Sequence, residues 1–386
     1  MSPDQELLLA AALLYLFECC IILHRRQLLF WSPGFSRFRI MPPENLPGSY
    51  AKAVFIAMPL PPLGEYLIAE PWPFALSPDG VASAPVQRIG RGVLSDVDYA
   101  TFIPWSGVKD VRINGAVIEI SGAAFVTCSG QRAAESCASL IKRIAESPAA
   151  KRESRIVAAV ESTLDLGRAT ETYATARESS RYARFIGNAL MILVFAVCPL
   201  VIAYRGLATT WHVLAMELAL VWVFAILEFW FAHRRLYRER KGERRLQMLL
   251  RGMTPVGAMR FGDILMRESM FDFHPLVIAK VICGAARFGA FSEDVVRDLR
   301  HPLRPADDDA APEAQAATDW FRARMLSATE SALEQWNVDW RSFGESPSPD
   351  DETCLGYCPR CRLQHTKTSG DCSNCPGVAL VPFAGA

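Results

Sequence analysis

The chain has 386 residues, and its formal net charge is zero because 41 Lys and Arg residues balance 41 Asp and Glu residues. This balance gives no support for a general nucleic-acid binder, which usually carries a basic excess. The length predicts two or three domains. Hydrophobic residues make up 51% of the chain and are concentrated in a few runs, which is typical of membrane spans joined to soluble domains.

The first apolar run covers residues 7–23, LLLAAALLYLFECCIIL, and is followed by His24, Arg25 and Arg26. Positive charges after the run, rather than before it, argue against a cleavable signal peptide. We therefore predict a first transmembrane helix at 7–23. A buried core helix is the alternative, because the run is at the short end for a span. The positive-inside rule places the N-terminus outside and Arg25 and Arg26 in the cytoplasm.

Two further apolar runs, residues 185–204 and 211–232, form a predicted hairpin of transmembrane helices. Each run is long enough to cross a hydrocarbon core of about 30 Å. Basic residues lie before the first run and after the second, whereas the link between them contains only Arg205. The two ends of the hairpin that lie opposite the link are therefore predicted to be cytoplasmic. The whole chain resembles a bacterial multi-pass membrane protein, which implies the plasma (inner) membrane, with the C-terminus in the cytoplasm.

Residues 27–146 are predicted to form a β-rich cytoplasmic α+β domain. Dense Pro and Gly exclude long helices in its first half. The segment VKDVRINGAVIEI predicts a β-hairpin with its turn at Asn114-Gly115, and GQRAAESCASLIKRIAES predicts an amphipathic helix. Residues 80–146 resemble a small bacterial pleckstrin-homology-like module, in which a helix closes a curved antiparallel sheet. That resemblance implies a binding or scaffolding unit, and a generic α+β domain is the alternative.

The other soluble segments are predicted from composition and helical periodicity. They are a helical connector at 149–184, a helical domain at 233–300, a linker at 302–316, a helix at 319–336 and a linker at 343–353. The last segment, 354–386, is predicted to bind a metal ion from the spacing of its cysteines.

Three acidic residues fall inside the predicted spans: Glu18, Glu217 and Glu228. An ionisable group in a span is costly and marks a possible functional site. Glu217 and Glu228 are eleven residues apart, so they lie close to one stripe of a helix and could line an ion or proton path. Glu18 and Glu228 lie near the predicted cytoplasmic ends, where pairing with nearby arginines is a sufficient explanation. Only Glu217 lies deep in a span.

The C-terminal segment contains two Cys-x-x-Cys pairs, Cys358 with Cys361 and Cys372 with Cys375, separated by ten residues. Each pair can place two thiolates on one ion, and two pairs complete a tetrahedral site. Residues 357–383 resemble a zinc ribbon, which implies these four cysteines as ligands of one zinc ion. Four thiolates leave no open position, so the ion would be structural. Two alternatives to zinc remain open: an iron ion bound by the same four cysteines, or a dithiol redox pair that binds no metal.

Cys354 and His365 are off the two-residue spacing, so we exclude them from the predicted ligands. The predicted fold class is therefore an α-helical membrane protein with three spans, a cytoplasmic α+β domain, a small helical domain and a C-terminal zinc ribbon.

Three classes of function are compatible with this organisation. The first is a membrane-anchored scaffold or adaptor that binds a protein partner through its cytoplasmic domains. The second is a small transporter component that uses Glu217. The third is an enzyme, although the sequence contains no zinc-protease, phosphate-loop, nucleophile-elbow or dinucleotide motif. We favour the scaffold, with the lipid bilayer and a protein as its partners.

Overall fold

The structure is a computed structural model that describes residues 2–13, 54–57, 65–68, 72–83, 101–115, 117–128, 131–236, 269–282, 285–302 and 312–383. It is a mixed α+β fold that divides into two compact units. Unit 1 consists of residues 1–27, 56–66 and 170–270, and unit 2 of residues 28–55, 67–169 and 271–386.

The helices of the described residues are α1 (residues 3–13), α2 (Gln131–Ala145), α3 (Ala149–Thr163), α4 (Leu166–Ile192), α5 (Cys198–Arg205), α6 (Leu207–Leu236), α7 (Pro275–Ile282), α8 (Ala285–Arg300) and α9 (Pro312–Gln335). The strands are β1 (Val54–Ala57), β2 (Glu65–Ile68), β3 (Phe74–Leu76), β4 (Gly80–Ser83), β5 (Phe102–Pro104), β6 (Val111–Asn114), β7 (Val117–Ile120), β8 (Ala123–Thr127), β9 (Gly356–Tyr357), β10 (Gln364–His365), β11 (Asp371–Cys372), β12 (Cys375–Ala379) and β13 (Val381–Pro382).

In unit 1, a π-helical segment, Leu193–Val197, joins α4 directly to α5. Pro199 follows this segment and has no backbone N–H to donate to the preceding turn, which explains the wider turn. Helix α5 ends at Gly206, whose φ of +75° an L side chain rarely adopts. Helix α6 begins at the next residue, so α5 and α6 form a tight helical hairpin.

The N-terminal helix α1 contacts the start of α6. The sequence Ser-Pro-Asp-Gln opens α1 with a capping box, because the Gln5 N–H donates to the Ser2 hydroxyl and the Ser2 N–H donates to the Gln5 side chain. Asp4 Oδ1 accepts a hydrogen bond of 3.0 Å from the Leu207 N–H. The carboxylate of Asp4 therefore caps α6 from a distant part of the chain.

The structure does not confirm three spans. Among the described residues, one helix, Leu207–Glu228 within α6, is both long and apolar enough to cross a membrane, and 6% of its apolar window is buried. The predicted span at 185–204 is helical, but it continues α4 and contains the π-helical segment. Most of the predicted span at 7–23 lies outside the described residues.

In unit 2, two antiparallel three-stranded sheets, β3-β4-β5 and β6-β7-β8, form the β-rich part. Helix α2 packs on the second sheet through the apolar face predicted from its sequence. The predicted hairpin is confirmed, but its turn is one residue later than expected. Asn114 pairs with Val117, and Gly115, with φ of +61°, begins the turn.

Helix α9 packs on the first sheet, where the rings of Trp72 and Phe321 lie 5.9 Å apart. It begins at Pro312, so residues 312–316, predicted as linker, are helical. Proline suits the first turn of a helix, and the Ala-rich sequence that follows has high helix propensity. Helix α7 begins after His274, whose Nδ1 accepts a hydrogen bond of 3.2 Å from the Leu276 N–H. His274 therefore has a structural role as a cap.

Candidate metal centre

The C-terminal segment folds as two small antiparallel sheets that carry one Cys-x-x-Cys pair each. Strands β10, β9 and β13 form the first sheet, and Cys358 and Cys361 lie in the turn between β9 and β10. Strands β11 and β12 form the second, and Cys372 pairs with Cys375 across their turn. The close approach of the four cysteines in these turns is consistent with a zinc-ribbon-like segment.

The four sulfur atoms converge on one point. The Sγ atoms of Cys358, Cys361, Cys372 and Cys375 all lie within 4.8 Å of one another. The Sγ atoms of Cys361 and Cys372 are 3.7 Å apart. In a tetrahedral site with Zn–S bonds of about 2.3 Å, neighbouring sulfurs are about 3.8 Å apart. The four cysteines could therefore hold a metal ion.

The surroundings of the sulfurs suit a closed metal site. Three of the cysteines are buried, and Val378 and Leu380 pack beside them and exclude water. The Cys361 N–H donates to Cys358 Sγ at 3.5 Å, and the Asn374 N–H donates to Cys372 Sγ at 3.4 Å. Such donors partly neutralise thiolate charge and orient the ligands.

Proton sharing within the cluster separates the pKa values of the thiols. Side-chain hydrogen bonds from Cys361 and Cys375 lower the pKa of Cys358 to about 2. The hydrogen bond to Cys358 raises the pKa of Cys361 to about 12, and the same interaction raises the pKa of Cys375 strongly. Without a metal, one thiolate therefore forms readily while its neighbours keep their protons. A bound dication would displace those protons.

Two arginines of the first Cys-x-x-Cys turn bind helix α8. Arg360 Nη2 lies 3.1 Å from Asp298 Oδ2, and Arg360 Nη1 donates to the His301 carbonyl at 2.8 Å. Arg362 Nη2 lies 2.5 Å from Glu293 Oε1. The basic side chains of the turn thus contact the protein's own helix. Sequence patterns alone do not reveal this contact, because the partners are about 60 residues apart.

The remaining predicted site residues do not join the cluster. Glu217 is exposed on α6, and Glu228 is half-buried. Glu18 lies outside the described residues. Cys354 and His365 are not part of the sulfur cluster, and within the described ranges these four cysteines are the sole group suited to holding a metal ion.

Comparison with protein-family models, with curated proteins and with solved structures finds no match for this chain.

Proposed function

We propose that this protein is a membrane-anchored scaffold whose unit 2 is stabilised by one structural zinc ion. The convergence of four thiols on one point carries the proposal. Four thiolates fill a tetrahedral coordination sphere, so the ion has no open position for a substrate or a reactive water. The ion would then hold a protein surface in shape rather than catalyse a reaction.

Zinc is the ion that best suits this donor set. Closed sites of four cysteines in small ribbons bind zinc as a structural ion, and zinc has no redox chemistry to damage its ligands. Burial by Val378 and Leu380 limits access of water and oxidants to the sulfurs. These features favour zinc over iron and over a dithiol redox pair, which needs an accessible thiolate.

The exposed apolar surface of α6 supports the membrane anchor. A core helix of a soluble protein would be mostly buried, whereas only 6% of the apolar window of Leu207–Glu228 is buried. The contact of Asp4 with Leu207 supports the finer proposal of three spans. In that topology the N-terminus and the link at 205–210 lie on the same, outer face of a bacterial inner membrane.

A protein is the proposed cytoplasmic partner, bound by the α+β part of unit 2. The resemblance of residues 80–146 to pleckstrin-homology-like modules supports a binding role. Nucleic acid has little support, because the net charge is zero and both Arg360 and Arg362 contact acidic side chains of α8. A transport role would need Glu217 to line an enclosed polar path, whereas its side chain is exposed on α6.

The test is the metal content and the partner set of the full chain purified from membranes. We expect one zinc ion per chain in the wild type and none in the variant Cys358→Ser/Cys361→Ser. The matched control is Cys354→Ser, which lies in the same segment but outside the sulfur cluster and should retain zinc. A wild-type protein without metal, or with iron, would contradict the zinc proposal.

Crosslinking in membranes followed by mass spectrometry tests the scaffold role. A specific protein that is captured by the wild type and by Cys354→Ser, but lost with the double variant, would support a partner surface that depends on zinc. An unchanged partner set with the double variant would mean that the metal segment does not shape the binding surface.

A further inference from the structure

The contact between the Cys-x-x-Cys turn and helix α8 is built from buried charges. The side chain of Arg360 is 6% exposed and that of Asp298 is 13% exposed. A charged group removed from water is costly unless it is paired and hydrogen-bonded. Arg360 meets this requirement by donating to both Asp298 and the His301 carbonyl. Displacement of the turn would separate the Arg360 guanidinium from both of these partners.

The position of Arg360 depends on the cysteines around it. Arg360 lies between Cys358 and Cys361, and the Arg362 N–H donates to the Cys358 carbonyl at 2.9 Å. A metal bound by Cys358 and Cys361 would fix both ends of this short turn and therefore the direction in which the Arg360 side chain leaves it. Loss of the metal would free the turn.

Arg362 supplies a second, independent observation. Its φ is +60°, a left-handed conformation that glycine adopts without strain and that L side chains adopt at a cost. An arginine here keeps that strain, and its guanidinium forms the ion pair with Glu293. The backbone of the turn would be more relaxed with glycine, so the side chain is needed for the contact with α8.

We propose that metal binding by the four cysteines and docking of the first Cys-x-x-Cys turn on α8 are thermodynamically coupled, so that the bound ion holds the C-terminal segment against this helix. We call this coupled contact the latch. The docking site consists of the carboxylates of Glu293 and Asp298 on α8 and the carbonyl of His301, the residue that follows α8. The latch rests on the metal site of the proposed function but not on the membrane anchor or on a protein partner.

Coupling of this kind is reciprocal. If the ion strengthens docking by some factor, docking must strengthen binding of the ion by the same factor. A substitution on α8 that touches no cysteine must therefore weaken zinc binding. This expectation separates a latch from a metal site that only folds its own segment, because a self-contained site would not respond to α8.

The test measures zinc affinity by competition with a chromophoric chelator, on the full chain in detergent. We expect Asp298→Asn to raise the zinc dissociation constant about tenfold, within the range usual for coupled sites. The matched control is Glu334→Gln, which also converts an acid that pairs with an arginine into its amide. The Glu334–Arg341 pair is exposed and contains no member of the sulfur cluster, so we expect no change in the dissociation constant.

Hydrogen exchange of residues 285–300 provides the second measurement. We expect zinc removal to speed exchange in α8 while residues 131–145 of α2 remain protected as an internal reference. Arg362→Gly should keep one zinc per chain, because it relaxes the turn, and should speed exchange in α8, because it removes the ion pair with Glu293. This variant keeps the test decisive if Asp298→Asn fails to fold.

Unchanged zinc affinity in Asp298→Asn, or unchanged exchange of α8 in both zinc-free protein and Arg362→Gly, would overturn the latch. A wild-type protein that binds no metal at all would instead overturn the metal site of the proposed function. The two failures are therefore distinguishable.

Discussion

Gly356 shows how a single residue limits the shape of the metal-binding segment. It lies in β9, the central strand between β10 and β13. A Cβ atom at this position would lie 2.6 Å from the Lys367 carbonyl oxygen and 3.1 Å from that of Val381. Real Cβ atoms do not approach a backbone oxygen as closely as 2.6 Å. Only glycine therefore lets the two neighbouring backbone segments pack against β9 here.

We therefore expect Gly356→Ala to destabilise the metal-bound segment by about 1–3 kcal/mol, the usual cost of overpacking. A destabilisation of about 1.4 kcal/mol corresponds to a tenfold weaker affinity for zinc, measurable by chelator competition. The control is Thr366→Ala, at an exposed position of the same segment, which should leave the affinity for zinc unchanged. Full zinc affinity in Gly356→Ala would show that β9 can shift to accept a methyl group.

At the residue scale, the sequence was sufficient to identify the four cysteines. Their spacing alone reports the chemistry, because two tight turns of two thiols each match one tetrahedral ion. The roles of Arg360 and Arg362 were not predictable in this way. The structure places both side chains against acidic residues of α8 that lie far from them in the sequence.

At the scale of elements, helix α9 joins the parts of unit 2. It packs on β3 and β4 and on α3 and α8. Phe321 is fully buried within it and lies against Trp72. Its ring therefore forms part of the tightly packed contact of α9 with the segment around Trp72 and β3.

Truncation of this ring should lower the free energy of unfolding by about 3–5 kcal/mol, because Phe321→Ala removes buried apolar surface and leaves a cavity. Urea unfolding of the full chain in detergent, followed by tryptophan fluorescence, measures the change. Ser327→Ala, at an exposed position of the same helix, should change the stability by less than about 0.5 kcal/mol. Equal stabilities of the two variants would mean that α9 is not part of the core.

Helix boundaries were less predictable than helix positions. Residues 302–316 were predicted as a linker from their composition, whereas α9 begins at Pro312. Composition does not separate the two, because proline and charged residues occur both in linkers and in the first turn of helices. The π-helical segment before Pro199 was also not predicted. Both features depend on local hydrogen bonds rather than on hydrophobic periodicity.

At the scale of the whole molecule, the distribution of positive charge predicts the topology. Arginines flank both ends of the apolar hairpin, whereas the link contains Arg205 alone. A protease added to right-side-out bacterial vesicles should therefore spare a tag placed after Ala386, and the same protease should remove it from inverted vesicles. A tag placed before the first residue should show the opposite pattern. Cleavage of the C-terminal tag from outside would contradict the proposed orientation.

The sequence by itself determined where apolar, basic and thiol side chains occur. From these it predicted the four cysteines that could hold a metal ion, the apolar helix α6 and the amphipathic helix α2, because each depends on spacing along one short segment. The tertiary structure alone decided which distant segments meet. The contact of Asp4 with Leu207 joins two residues that are 203 positions apart in the chain. The contact of Arg360 with Asp298 joins two residues that are 62 positions apart. Such pairings follow from the packing of the entire chain, which no local pattern of residues encodes.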